Sequence, residues 1–137
     1  MELPNTTVIA VVDDDESVRK AIVRLVRSFG YDFVAFDRAE DFLTFSHRGG
    51  VGCLIADVQM PGMTGVDLHA RLVAGGETTP TILITAFPDQ GARTRALRAG
   101  VKCYLTKPVR SEDLHACIQS ALGSDGACRS RQPRDGG

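Results

Sequence analysis

Several residues able to do chemistry stand where apolar runs of the 137-residue chain stop. Asp57 ends the run Val-Gly-Cys-Leu-Ile-Ala that begins at Val51, and Pro61, Gly62 and Gly65 follow it, so a buried segment hands one acid to a loop. Asp13 and Asp14 follow a second such run, Thr85 ends a third, and Lys107 follows a fourth. Three carboxylates gathered at one place repel each other unless a cation joins them, and an all-oxygen donor set with room for water suits Mg²⁺. Lys107 and Thr85 are not needed to hold a metal. A positive charge and a hydroxyl donor are what the oxygens of a transferring phosphoryl group require, with Asp57 as the attacking nucleophile and an acyl phosphate as the product.

These side chains meet only if the surrounding elements place the ends of the runs together. Residues 7–12 (Thr-Val-Ile-Ala-Val-Val) read as a strand buried on both faces, being too short for a helix and too apolar for a half-exposed strand. Val18, Ile22, Leu25, Val26 and Phe29 then recur at helical spacing, with acids in the first turn, Arg19, Lys20, Arg24 and Arg27 on the other face and Gly30 as the stop. Residues 31–36 form the second strand, and Asp37 is expected to cap a short helix carrying Phe42, Leu43 and Phe45 that fades at Arg48-Gly49-Gly50. The third strand spans 51–56. Val66, Leu68 and Leu72 mark a helix ending at Gly75-Gly76, and residues 80–85 are the fourth strand. Pro88-Asp89 opens a helix through Ala92, Ala96, Leu97 and Ala99 to Gly100, residues 101–106 form a fifth strand, and Ser111 is expected to cap a last helix bearing Leu114, Cys117, Ile118 and Ala121.

Strands alternating with helices through short connections predict an α/β domain, a doubly wound five-stranded parallel sheet with five flanking helices. Ligands of such sheets bind outside the carboxyl ends of the strands, and that edge would gather Asp13, Asp14, Asp57, Thr85 and Lys107. The fold expected of residues 1–122 leaves 123–137 without apolar periodicity, as a disordered tail or linker stub.

The set Val12-Asp13-Asp14, Leu54-Ile-Ala-Asp57-Val-Gln-Met-Pro-Gly-Met-Thr-Gly65, Ile84-Thr85-Ala86 and Tyr104-Leu-Thr-Lys107-Pro108 resembles the CheY-like receiver domain of bacterial two-component response regulators, in family order and spacing. The resemblance implies the flavodoxin-like strand order 2-1-3-4-5. It makes Asp57 the phosphoacceptor, and assigns Mg²⁺ to Asp14, Asp57 and the backbone carbonyl of Gln59, with Asp13 acting partly through water. Lys107 would pair with phosphoryl oxygens, Thr85 would donate to one, and Tyr104 matches a switch aromatic that turns inward with the threonine. The donor implied is a sensor histidine kinase or histidine phosphotransfer protein. The output implied is a downstream effector protein or domain, or a homodimer, engaged through the face of helix 4, strand 5 and helix 5. Phe87-Pro88-Asp89 and the helix from Arg93 to Leu97 resemble receivers that precede LuxR-type effectors in nodulation and nitrogen-fixation regulators. The chain reads as a stand-alone receiver or a fragment of a longer regulator.

Other functions fit less well. A Mg²⁺-dependent phosphohydrolase would use Asp57 as nucleophile but needs an acid to protonate its leaving group, and a Gln stands at position 59. A flavin mononucleotide carrier would not place an acidic cluster where a phosphate must sit. The net charge of −1 and the hydrophobic fraction of 43% give no bias toward nucleic acid or membrane, and Arg93, Arg95 and Arg98 lack interleaved aromatics, so no direct nucleic-acid contact by this domain is expected. No signal-like or membrane-spanning run is visible, and a cytoplasmic location is expected. Cys53, Cys103, Cys117 and Cys128 form no CxxC pair and read as packing residues or a tail thiol, while His47, His69 and His115 read as surface histidines.

Overall fold

The computed structural model describes residues 7–123. Its elements alternate as expected: β1 (Val8–Val12), α1 (Glu16–Ser28), β2 (Asp32–Phe36), α2 (Ala39–Leu43), β3 (Val51–Asp57), α3 (Gly65–Ala74), β4 (Thr81–Thr85), α4 (Gln90–Arg98), β5 (Cys103–Thr106) and α5 (Ser111–Gly123), with one 3₁₀ turn at Arg48–Gly50. All strands are parallel, in the order β2-β1-β3-β4-β5. The strand cores were legible because a parallel sheet covered on both faces buries every residue of its inner strands. β4 is buried from end to end, and β1 is buried from Ile9 onward. Gly123, expected to begin the tail, is the last residue of α5, and the rest of the expected tail, with Cys128, lies outside the described residues.

Alternation along the strands sorts the core into two layers. Ile9, Val11, Cys53, Ile55, Ile82 and Ile84 pack against Ile22 and Val26 of α1 and Leu114, Ile118 and Ala121 of α5. Ala10, Val12, Leu54, Ala56, Leu83 and Tyr104 pack on the other face, against Ala39 and Phe42 of α2, Leu68 and Leu72 of α3 and Ala96 of α4. Cys53 is buried and Cys103 and Cys117 are half-buried free thiols, so the three described cysteines are packing residues.

The helix starts correct several expectations. Asp37 does not cap α2; Arg38 occupies that position with no side-chain cap bond. Ser111 is the first helical residue of α5 rather than its cap. The strongest start is at α3, where Thr64 and Asp67 form a reciprocal capping box that the apolar pattern alone did not reveal. Asp15 caps α1 by accepting from the N–H groups of Ser17 and Val18. That assignment leaves Asp13 and Asp14 free of the capping role that an Asp-Asp pair after a strand often fills. Packing departs from the pattern as well. Val66 and Ala99 are exposed although they fit their helical stripes, and His69 is buried rather than on the surface.

Candidate functional site

Parallel pairing carries the ends of β1, β3, β4 and β5 to one edge, and the chemistry collects there. Asp13 is fully buried, Asp57 is 3% exposed, Thr85 is fully buried, and Asp14 is open to solvent. Carboxylate oxygens of Asp13, Asp14 and Asp57 all lie within 4.8 Å of one another. The Lys107 ammonium bridges two of them, 3.2 Å from Asp13 Oδ2 and 3.1 Å from Asp57 Oδ2. Backbone N–H groups hold the other oxygens: Asp15 donates to Asp13 Oδ1 at 2.9 Å and Gln59 donates to Asp57 Oδ1 at 3.1 Å. Arg19 Nη1 donates to the Asp13 carbonyl at 2.7 Å, a tie from α1 to the loop that the sequence did not disclose.

Electrostatics follows from this crowding. Burial pushes the Asp13 carboxyl up to about 6 and the neighbouring Asp57 charge adds to the rise, while the Asp15 N–H and Lys107 act against it. Burial alone would depress the Lys107 ammonium. The Asp57 hydrogen bond and the charges of both acids outweigh that and leave it above its ordinary value. Three carboxylates against one ammonium leave an excess of two negative charges at neutral pH. Asp13 Oδ2 is buried, with the Lys107 ammonium 3.2 Å away as its ion-pair partner. A hard oxygen cluster with that excess charge fits a divalent cation such as Mg²⁺.

Two close approaches shape the loop after β3. Val58 N–H continues the ladder to the Ile84 carbonyl at 2.8 Å, so the loop leaves the sheet alongside the end of β4. Gly65 then packs so tightly that a Cβ there would lie 2.5 Å from the Asp57 carbonyl oxygen, which explains the glycine eight residues after the acid.

Thr85 and Tyr104, the two residues expected from the resemblance to act as a switch, stand differently from the acidic cluster. The Thr85 hydroxyl donates to Gln59 Oε1 at 2.7 Å and accepts from the Phe87 N–H at 3.0 Å. The side chain of Gln59 thus engages Thr85, a link missed at the sequence level, where that side chain counted only for the carboxyl group it lacks. The pairing of Asp57 with Ile84 would have placed the two side by side, had the register been known. Tyr104 pairs in register with Leu83, two residues before Thr85 on the same sheet face, and is 9% exposed. Burial raises its hydroxyl, with Asp89 adding to the rise and Arg95 opposing it. The edge therefore assembles Asp13, Asp14, Asp57 and Lys107 directly, and attaches Thr85 through Gln59.

Comparison with known proteins agrees with this geometry. The family model described as the response regulator receiver domain matches residues 9–119. The chain is 40% identical over 128 residues to the response regulator protein TodT of Pseudomonas putida, covering 93% of this chain and 56% of that protein. It is 32% identical over 131 residues to Nodulation protein W of Bradyrhizobium diazoefficiens, covering 96% of this chain and 58% of the relative. The chain thus spans little more than half the length of these curated relatives. Among solved structures, FixJ-N superposes with a TM-score of 0.81 at 29% identity, over 91% of this chain and 100% of that one. Receivers of this kind are signalling switches rather than classical enzymes, and the phosphohydrolase reading is not favoured. An acidic edge with its lysine, on a 2-1-3-4-5 sheet and inside a match that runs through nearly all the described residues, makes this chain a member of the response regulator receiver domain family.

Proposed function

We propose that Asp57 is the phosphoacceptor, taking its phosphoryl group from a histidine of a sensor kinase or phosphotransfer protein. The observation that carries this reading is the Lys107 ammonium seated 3.1 and 3.2 Å from Asp57 and Asp13, beside Asp14 at the mouth of the edge. An Asp57 carboxylate oxygen attacks phosphorus, the P–N bond of the phosphohistidine breaks, and its electron pair returns to the imidazole nitrogen, leaving an acyl phosphate on Asp57. Lys107 then pairs with a phosphoryl oxygen, and Thr85 donates to another after leaving its present partner.

Asp13, Asp14, Asp57 and the Gln59 carbonyl would hold Mg²⁺. When bound, the cation would neutralise charge on the phosphoryl oxygens. Hydrolysis of the acyl phosphate by the domain itself is expected to be slow, since the Gln59 amide cannot act as a general base. Phosphorylation adds nearly two negative charges at this edge, and the response passes through Thr85 and Tyr104 to the face of α4, β5 and α5. α4 carries exposed Arg93, Arg95 and Arg98 and α5 exposed Glu112 and Asp113, a pairing of signs suited to a homodimer or to an effector.

Residues 1–122 constitute the receiver in this reading, and 123–137 a tail or linker. The domain acts in the cytoplasm, without direct nucleic-acid contact. Among the described residues no helix is long and apolar enough to cross a membrane. Incubation with acetyl phosphate and Mg²⁺ followed by intact-mass measurement is expected to show one added phosphoryl group, absent in Asp57→Asn. No added mass, or the same gain in the variant, refutes the assignment.

A further inference from the structure

The Thr85 hydroxyl has one proton, and that proton is committed. It points to Gln59 Oε1 at 2.7 Å, while the hydroxyl oxygen accepts from the Phe87 N–H at 3.0 Å. Gln59 also holds the acid, its backbone N–H donating to Asp57 Oδ1 at 3.1 Å. One loop residue therefore bonds both the nucleophile and the hydroxyl that the modified nucleophile would need. We propose that Gln59 is a latch, a positioning residue whose side-chain oxygen keeps the Thr85 proton until a phosphoryl oxygen on Asp57 competes for it. This inference rests on the phosphoacceptor reading of Asp57.

The competition has a definite direction. A phosphoryl oxygen carries charge and accepts more strongly than a neutral amide oxygen, so the proton transfers its bond once the group is in place. The two ends of the latch differ in what release costs them. Gln59 is exposed, so water replaces the bond its amide loses. Thr85 is fully buried, so its hydroxyl has no such substitute and stays with Gln59 until the new acceptor arrives. The unmodified state is thereby favoured by one hydrogen bond, and part of the stabilisation the phosphoryl group gains from Thr85 is spent on breaking it. The bond from Phe87 ties the same hydroxyl to the β4–α4 loop, so a move of Thr85 is felt where Phe87 stands 70% exposed.

The test is a titration with beryllofluoride, a phosphoryl mimic, in the presence of Mg²⁺. Gln59→Met keeps the length of the side chain, removes its amide oxygen and leaves the backbone N–H to Asp57. It is expected to bind the mimic about three- to tenfold more tightly than the wild type, the range that corresponds to one net hydrogen bond. The same substitution made in Thr85→Val, which has no hydroxyl to latch, is expected to leave affinity within about twofold, whereas a merely structural effect of the methionine side chain would persist in both backgrounds. In the free protein, the side-chain amide resonances of Gln59 are expected to move on Thr85→Val. If the wild type binds the mimic and Asp57→Asn does not, then unchanged or weaker binding by Gln59→Met, or equal tightening in both backgrounds, overturns the latch and leaves Asp57 as acceptor. Absence of binding by the wild type overturns both.

Discussion

Both faces of the sheet are close-packed at their centres, and they differ at the helices that cover them. On the α1/α5 face, Ile9, Val11, Cys53, Ile55, Ile82, Ile84, Leu114, Ile118 and Ala121 are all fully buried, and branched aliphatics interlock along the strands. On the α2/α3/α4 face, a groove of about 520 Å³ opens between α3 and α4, with Val66 and Val73 exposed on its rim and His69 in its wall. α4 buries only Ala96 among its residues. Thr85 and Tyr104 belong to this looser face by strand alternation. The difference teaches that one face supplies a rigid base for the acidic edge, and the other leaves an element free to move at little cost in packing.

The largest test of that contrast is Leu114→Ala. Removing a fully buried leucine from the α1/α5 face is expected to cost about 2–5 kcal/mol in denaturant unfolding, because a close-packed layer cannot collapse around the cavity. A cost below about 1 kcal/mol would place the slack on the wrong face. An intermediate effect is expected from pH. Burial holds His69 below its ordinary value of 6.5, so the unfolded chain takes up the proton first. Stability from His69 is thus complete above about pH 6.5, falls as the pH drops below that, and levels off beneath the depressed folded value. His69→Gln should flatten this part of the stability profile, and amide exchange in α3 should report the loss before exchange in α5. The smallest effect is expected for Val73→Ser, within about 0.5 kcal/mol, since Val73 is 53% exposed. A cost above about 1 kcal/mol would mean that something covers the groove in solution.

The sheet could be read from the sequence because burial on both faces writes itself as continuous apolar runs, and the acid, hydroxyl and lysine at their ends followed from parallel topology. His69 was also within reach. Gly65, Leu68, His69 and Leu72 are the buried residues of α3 and share one helical stripe, so its place was visible once the stripe was drawn through the polar residue. The caps were harder, because Asp37 and Ser111 are residues that cap helices in general and only the local backbone decided against them. The Gln59–Thr85 bond was out of reach altogether, since it spans 26 positions and depends on a register that no local pattern encodes.

Asp15 serves two structures at once. Its N–H holds Asp13 in the acidic edge, and its carboxylate caps the first turn of α1 through Ser17 and Val18. A change of charge at Asp13 is expected to reach the start of α1 through Asp15, the one residue that bonds both. The amides of Ser17 and Val18 become a gauge of the edge, readable by NMR from solvent and without a substitution in the site.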